Sequence, residues 1–123
     1  MSFEIKKWGS FEKVGQGHAF WHKGKFYAIL ETKVGAYRGN HIHPHDQYSM
    51  LLSGRAKYVE FEGVRRETQM KEGKVVRVKA GIPHILVPEE DITTFEWWDG
   101  EFIAEDCSGI FEDLTKGRFG TKD

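Results

Sequence analysis

The sequence predicts an all-β fold, and three features of its 123 residues support this prediction. The chain contains 14 glycines, which divide it into short runs. Aromatic residues make up 14% of the chain, and aromatic side chains are enriched in strands. No long segment repeats apolar residues at the helical spacing. We therefore expect many short strands rather than helices.

The first strong strand signals come before the middle of the chain. Residues 3–8 form a first strand or a lead-in, and residues 12–17 read as a loop. Lys25–Val34 is mostly apolar and is bounded by glycines, which favours a strand. A second run, Tyr37–His43, stops at Pro44, because proline removes a ladder donor.

The remaining runs are separated by turn residues. Gln47–Leu52 and Ala56–Glu62 flank a short turn and predict a hairpin. The charges of Val64–Met70 suggest an edge strand. Three further strands are predicted at residues 74–79, 84–87 and 92–98. The tail from Gly100 holds a short strand or a turn of helix, or packs across the outside. This spacing predicts a single antiparallel sandwich or barrel domain over residues 1–123.

Composition narrows the partners and the location. The net charge is −1 and the basic residues are scattered, which argues against nucleic acid binding. A single cysteine, Cys107, excludes an internal disulfide framework and favours a reducing cytoplasm. No apolar run is long enough for a signal peptide or a membrane span. We expect a soluble cytoplasmic protein without membrane contact.

Three histidines form the candidate site. His41 and His43 are two positions apart on a predicted strand, so their side chains share one face. Gln47 follows closely and offers an oxygen, and His84 is the candidate third imidazole. Such ligands suit one divalent metal such as Zn, Ni, Fe or Mn. The alternative is that the three histidines are interior polar residues without a metal.

The spacing of these residues resembles the two motifs of the cupin family. The first motif is matched by Gly35, His41-Ile42-His43, Gln47 and Gly54, which defines residues 35–54. The second is matched by Gly73, Lys79-Ala80-Gly81, His84 and Pro88, which defines residues 73–88. Lys79 and Pro88 replace the usual proline and asparagine, and Gln47 replaces the usual glutamate.

The resemblance implies a conical jelly-roll barrel in which His41, His43, Gln47 and His84 converge. Because Gln47 brings no negative charge, a bound ion keeps its full 2+ charge and should be the stronger Lewis acid. Affinity should fall below a pH of about 6.5, the ordinary histidine pKa. Some sugar-isomerising cupins instead use paired histidines directly for proton transfer.

Strand parity gives the remaining candidates. With Gln47 facing inward, Ser49 and Leu51 share its face. In the run from Lys25, either Phe26, Ala28 and Leu30 or Tyr27, Ile29 and Glu31 face the cavity. An inward Glu96, Glu31 or Tyr27 would be an acid/base candidate, and an exposed outer position is the alternative. His45 reads as a rim residue with a possible acid/base role, and His18 and His22 as surface or packing groups.

Two residues are candidate substrate contacts. Arg38-Gly39-Asn40-His41-Ile42-His43 resembles a segment of sugar-nucleotide epimerase and ketoisomerase cupins. Arg38 would then pair with a phosphate or carboxylate, with a surface salt bridge as the alternative. Tyr48 is the second candidate contact.

Three functions follow from the resemblance. The first is an enzyme, of epimerase or isomerase type, acting on a small polar substrate such as a sugar or sugar nucleotide. The second is an Fe-dependent dioxygenase, and the third is a non-catalytic cupin that binds a metal or small ligand. In each case we expect a homodimer formed through outer sheet faces, because the chain has aromatic residues available for such a patch.

Overall fold

The computed structural model of the protein describes residues 4–107 and 109–121, which form two antiparallel β-sheets. The six-stranded sheet contains, in spatial order, β1 (Lys6–Lys7), β2 (Gly17–His22), β3 (Lys25–Thr32), β10 (Ile92–Trp98), β5 (Gln47–Ser53) and β8 (Val75–Val78). The five-stranded sheet contains β11 (Glu105–Asp106), β4 (Arg38–Ile42), β9 (His84–Pro88), β6 (Ala56–Phe61) and β7 (Arg65–Gln69). A single helical turn, α1, covers Glu112–Thr115.

The predicted all-β class is confirmed, with one strand missed. The hydrogen-bonded ladders of the described residues make two separate sheets rather than one continuous cylinder. Sequence analysis did not predict β2, whose inward positions are Gly17 and Ala19. A Cβ at Gly17 would collide with the backbone oxygen of Trp8, so small residues are required and the apolar signal of the strand is weak. Phe3, the predicted start of the first strand, lies outside the described residues.

The inner faces of the two sheets share the core. At one end, Leu51 of the six-stranded sheet packs in a cluster with Tyr58 and Leu86 of the five-stranded sheet. A second cluster around Phe26 and Trp98 lies within the six-stranded sheet and includes the half-buried Trp8 and Phe102. This second cluster borders the histidines.

The C-terminal segment covers the outside of the five-stranded sheet. Phe111 is fully buried against Val59 and Ile85, which point away from the inner face. The bidentate ion pair of Arg65 with Asp113 at 2.7 Å fastens α1 to β7. The tail therefore contains a short strand and a turn of helix and also packs across the outside, so all three predicted outcomes occur together.

Strand parity is resolved in β3, β5 and β10. In β3 the buried residues are Phe26, Ala28, Leu30 and Thr32, so the first of the two predicted alternatives holds. Gln47, Ser49 and Leu51 are buried in β5, as predicted. In β10 the buried set is Ile92, Thr94, Glu96 and Trp98. Within the described residues, no helix has the length and apolar character needed to cross a membrane.

Candidate metal centre

A β-bulge positions the first histidine. The pairing of β4 with β9 shifts register between Gly39 and His41, so that His41 lies opposite His84. The extra residue, Asn40, has a φ of 68°, a left-handed conformation that asparagine tolerates better than most residues. Gly39 has a φ of 90°, and a Cβ there would lie 3.1 Å from the carbonyl oxygen of His84. The Gly39-Asn40 pair thus allows the two strands to approach closely at the site.

The tautomers of two histidines follow from their hydrogen bonds. The Nδ1 atom of His43 lies 2.8 Å from the carbonyl oxygen of Ile103, and that of His84 lies 3.1 Å from the carbonyl oxygen of Ile82. A carbonyl only accepts, so each Nδ1 carries the proton and each Nε2 presents a lone pair. Both Nε2 atoms are buried and have no hydrogen-bond partner among the described residues.

The three imidazoles converge. The ring centroids of His41 and His43 are 4.9 Å apart, those of His43 and His84 are 4.9 Å apart, and those of His41 and His84 are 5.7 Å apart. One ring nitrogen from each histidine lies within 4.8 Å of the others. The predicted meeting of imidazoles from two distant segments is therefore present in the structure.

Two hydrogen bonds fix the side-chain amide of Gln47, which lines the same cavity as the three histidines. The Nε2 atom of Gln47 donates to Oε1 of Glu96 at 3.0 Å and to the hydroxyl of Tyr58 at 3.1 Å. Since a carboxylate accepts, the amide cannot be turned around without losing these bonds. Its Oε1 atom is left buried without a partner among the described residues.

These atoms fit a divalent cation. The Nε2 atoms of His43 and His84 and the Oε1 atom of Gln47 are all acceptors. Buried acceptors without a donor are rare, because each has lost its hydrogen bonds to water without gaining another. A cation satisfies all of them at once. Three imidazole nitrogens and one amide oxygen are ligands that first-row metals such as Mn, Fe, Ni and Zn accept.

Burial keeps the imidazoles neutral. Desolvation lowers the pKa of His84 to about 3, and the neighbouring His43 adds to the effect. Desolvation also lowers the pKa of His43, opposed in part by the Ile103 carbonyl and by Gln47. The lone pair of His84 therefore stays available well below pH 6.5, and the lowered pKa of His43 shifts its protonation in the same direction. Protonation of these two imidazoles should therefore weaken metal binding only at a lower pH than the ordinary histidine pKa predicts.

Glu96 lies behind Gln47 in a buried hydrogen-bond network. Besides Gln47, its carboxylate accepts from Thr94 at 2.8 Å, Ser49 at 3.2 Å and Tyr58 at 3.5 Å. Burial raises the pKa of Glu96, while the donated hydrogen bonds and the charge of Arg38 oppose the shift. Burial also raises the pKa of Tyr58, and the Glu96 charge adds to it. Of the predicted acid/base candidates, Glu96 is the one that lines the histidine cavity.

The cavity beside the three histidines has a volume of about 280 Å³. Its walls are largely apolar and include Trp8, Phe11, Trp98 and Phe102. The Phe102 ring centroid lies 5.2 Å from that of His43 and 4.7 Å from that of Trp8. This size is at the lower end of the range for ligand sites, which favours a compact molecule.

Arg38 lines the cavity, but its guanidinium is engaged by the protein. Its Nε donates to Oγ1 of Thr32 at 2.8 Å, and the two terminal nitrogens donate to the carbonyls of Gly9 at 2.7 Å and Glu31 at 2.9 Å. The residue is only 6% exposed, so the alternative of a surface salt bridge is wrong. Arg38 ties the N-terminal segment to β3 and β4. This arrangement leaves it poorly placed to take a substrate phosphate.

The structure does not bring four other candidates into the cavity. The side chains of Tyr27 and Glu31 lie on the outer face of β3, and Tyr48 lies on the outer face of β5. Tyr48 stacks on Trp97 with a centroid distance of 5.4 Å and an interplanar angle of 10°. The ring of His45 lies against Gly100, where a Cβ would come within 2.6 Å of it. The strand period of two explains the outward positions of Tyr27, Glu31 and Tyr48, since each alternates with a buried neighbour.

Sequence reasoning missed Tyr58, Trp98 and Phe102 as parts of the site. Tyr58 shares the inward face of β6 with Ala56, and this alternation was a usable signal. Trp98 is two positions from Glu96 on β10, so its parity was a usable signal for an inward side chain. Phe102 follows β10 in a segment without regular structure, so no periodic signal marked it.

Comparison with known proteins places the chain in a family. A family model described as a cupin domain matches residues 28–97, which include the residues of the metal centre. No match is found among curated proteins. The solved structures that it resembles are under 25% identical, so they support the fold alone.

One group of similar structures is CapF. The capsular polysaccharide assembling protein CapF from Staphylococcus aureus is 19% identical, with a TM-score of 0.69 over 83% of this chain and 30% of that chain. CapF with the inhibitor 3-isopropenyl-tropolone is also 19% identical, with a TM-score of 0.70 over 83% of this chain and 32% of that chain.

A second group is oxalate decarboxylase. A structure of the Bacillus subtilis enzyme, studied for its Mn(II) centres, is 19% identical, with a TM-score of 0.72 over 81% of this chain and 29% of that chain. The match thus spans less than a third of the length of each of these proteins. Since the family model covers more than half of the sequence, the chain belongs to the cupin family.

Proposed function

We propose that this cupin is a metal-dependent enzyme acting on a small polar molecule that binds directly to the ion. His41, His43, His84 and Gln47 would hold the ion. The observation that supports this most is the set of three buried lone pairs, on His43, His84 and Gln47, that lack a donor among the described residues. The Mn(II) centres of oxalate decarboxylase, a similar fold, are in keeping with a divalent metal.

The ion would supply a Lewis acid for a substrate oxygen. The chain itself provides three further elements. Ile103 and Ile82 orient the imidazoles of His43 and His84, Glu96 and Tyr58 orient the Gln47 amide, and the aromatic walls exclude water from the ligand. Exclusion of water strengthens each electrostatic interaction within the cavity.

An epimerase or isomerase acting on a sugar is the first specific form of the proposal. It requires a base beside the substrate, and Glu96 is the carboxylate among the described residues that line the cavity. Four donors already engage its two oxygens. A sugar nucleotide would also have to extend out of a cavity of about 280 Å³. A small keto-sugar is therefore the better form of this substrate class.

An Fe-dependent oxygenase is the second specific form. Its chemistry relies on the metal, O₂ and substrate and needs no protein base, so the engaged state of Glu96 favours it over the isomerase. A non-catalytic ligand-binding cupin is the outcome if the tests for activity fail.

Metal titration tests the proposal. Chelator-treated protein should bind one equivalent of Mn²⁺, Fe²⁺, Ni²⁺ or Zn²⁺ by calorimetry. His84→Ala removes a metal ligand and should weaken metal binding more than a hundredfold. Losing a group that only orients a ligand typically weakens binding ten- to a hundredfold. His18→Ala, at an exposed position on β2, is the matched control and should bind as wild type. Failure of the wild type to bind any of the four metals would refute the proposal.

Activity assays then separate its forms. Oxygen uptake by the Fe²⁺-loaded protein, with small organic acids and diketones as substrates, should be lost in His84→Ala if the protein is an oxygenase. Exchange of the carbon-bound proton of a keto-sugar with solvent, lost in Glu96→Gln, would instead identify an isomerase. A protein that binds metal but supports neither reaction would be a binding cupin.

A homodimer in the cytoplasm, without nucleic acid or membrane partners, completes the proposal. The outer face of the six-stranded sheet carries a row of stacked rings: Phe20 on Tyr27 at 5.0 Å, Tyr27 on Phe95 at 6.1 Å, and Tyr48 on Trp97 at 5.4 Å. A second copy would bury this apolar face. Light scattering should give twice the chain mass, and a monomer at all concentrations would exclude the dimer.

A further inference from the structure

We propose that the molecule bound at this metal centre is an anion that shares two oxygens between the ion and the indole N–H of Trp98. This inference rests on the proposed metal centre and specifies the class of its ligand. The class is a compact carboxylate, or an enolate with two adjacent oxygens, attached to an apolar body.

The side chains that would hold the ion carry no negative charge. His43 and His84 would bind an ion as neutral imidazoles, because each Nδ1–H donates a hydrogen bond to a carbonyl and each Nε2 is left to coordinate. Gln47 is also neutral, so these ligands leave the 2+ charge of an ion uncompensated. A buried charge without a counter-charge is strongly unfavourable. A bound anion would supply the compensation that the usual cupin glutamate supplies as a ligand.

Nearby protein charges do not remove this need. Glu96 is buried behind the Gln47 amide, and its charge interacts favourably with that of the buried Arg38. Four donors also hold the Glu96 side chain within the protein. Arg38 itself donates to three protein oxygens, so it is not the anchor for the anion.

The indole N–H of Trp98 is a buried hydrogen-bond donor that lacks an acceptor among the described residues. Trp98 is 2% exposed and lines the cavity. Trp98 lies directly opposite Gln47 in the ladder, and its ring centroid is 5.8 Å from that of His43. The indole that carries the unpartnered donor thus lines the same cavity as the unpartnered acceptors and lies beside His43. A ligand oxygen that accepts from Trp98, while a second oxygen binds the ion, satisfies both sets.

The rest of the cavity wall is mostly apolar. Trp8, Phe11, Leu30 and Phe102 present apolar surface to the rest of the cavity. A highly polar body such as a pyranose ring would leave several hydroxyl groups without partners against these rings. A small hydrocarbon or aromatic body fits them better, so the polar groups of the ligand should be confined to one end.

A pair of nearly isosteric probes tests the inference. Benzoate carries two carboxylate oxygens and a negative charge, whereas benzamide is neutral and presents an NH₂ group where the second oxygen would stand. On Zn²⁺-loaded protein, calorimetry should show at least tenfold tighter binding of benzoate than of benzamide. The Trp98→Phe variant should reduce this ratio about tenfold, the effect of losing one hydrogen bond to a charged group.

The controls separate the hydrogen bond from packing. Trp97→Phe, the same substitution on the outer face of β10, should leave the benzoate-to-benzamide ratio unchanged. Zn²⁺ affinity is measured first for each protein and should not change in Trp98→Phe. Equal or absent binding of the two probes by the Zn²⁺-loaded wild type would overturn the inference, while the proposed metal site would still stand. This result does not depend on whether the Trp98 variant folds. An equal loss for both probes in Trp98→Phe would overturn the role of its N–H.

Discussion

Alternate residues of β10 lie in two chemically different environments. On the inner face, Thr94, Glu96 and Trp98 are at most 3% exposed, and Thr94 donates to Glu96 in the network behind Gln47. On the outer face, Phe95 and Trp97 are half-buried and contact neighbouring rings. The inner face is thus held by hydrogen bonds of fixed geometry, and the outer face by stacking that tolerates other rings. Substitutions on the inner face should cost more and should alter the site.

Glu96→Ala should give the largest loss of stability. It removes the acceptor of one Gln47 N–H and of the Ser49 and Thr94 hydroxyls, and it removes the carboxyl group whose charge interacts favourably with Arg38. Breaking a buried charged network typically costs about 3 to 5 kcal/mol. Urea unfolding measures the change. Glu31→Ala, at an exposed position on the neighbouring strand, should stay within about 0.5 kcal/mol of wild type. Similar losses in the two variants would remove the distinction between the faces.

The stability of the metal-free protein should fall as the pH falls. The pKa of His84 is about 3 in the folded state, below its ordinary value of 6.5 in the unfolded chain. Between these values the unfolded chain binds a proton that the folded protein does not. The free energy of unfolding should therefore decrease from about pH 6.5 downward, by about 1.4 kcal/mol per pH unit for this group.

Unfolding in urea with a chelator present, at pH 6 and pH 4, measures this slope. The contribution of His84 over this interval is about 2 to 3 kcal/mol. His84→Gln should flatten the dependence, whereas His18→Gln on the outer face should retain it. An unchanged slope in His84→Gln would mean that the inner imidazole is not the group responsible.

Exchanging two inner side chains should sharpen the comparison further. Gln47→Glu alone places a second carboxyl group about where the amide nitrogen now lies, 3.0 Å from Glu96, and like charges at that distance are unfavourable. The double variant Gln47→Glu with Glu96→Gln restores a donor between the two positions. We expect a coupling energy of about 0.5 to 3 kcal/mol in a double-mutant cycle measured by unfolding. Strict additivity would show that the two side chains do not act as a pair.

The smallest effect is expected on the outer face. Tyr48→Ala removes a ring stacked on Trp97 at 5.4 Å, and such a pair contributes about 0.5 to 1.5 kcal/mol beyond the area that it buries. A cycle with Trp97→Ala isolates the pair, and metal affinity should be unchanged in both single variants. A loss of metal affinity in Tyr48→Ala would contradict the separation of the faces.

Sequence patterns predicted the local parts of this molecule well. The strand period placed His41 with His43, whose rings lie 4.9 Å apart, and Gln47 with Ser49, because side-chain direction is set by the local backbone of a strand. The spacing that resembles the cupin motifs added His84, which comes from a distant segment. That the chain forms one domain over residues 1–123 stays a prediction.

What the sequence could not supply were contacts between segments far apart in the chain. The acceptors of Arg38 include the carbonyl of Gly9, 29 residues away, and no pattern marks a carbonyl as an acceptor. The orientation of the Gln47 amide depends on Tyr58 and Glu96, each on a different strand. Such contacts arise only when both sheets are assembled, and they decide which candidates can take part in chemistry.

The segment after β10 contacts two of the three clustered histidines and holds one of them in place. Phe102 contacts the rings of His41 and His43, and the carbonyl of the next residue, Ile103, fixes the proton on Nδ1 of His43. If these two residues swung aside to admit a molecule, the same movement would free the His43 ring to rotate or change tautomer. A ligand that displaced this segment would thus also loosen the orientation of one histidine of the candidate metal centre.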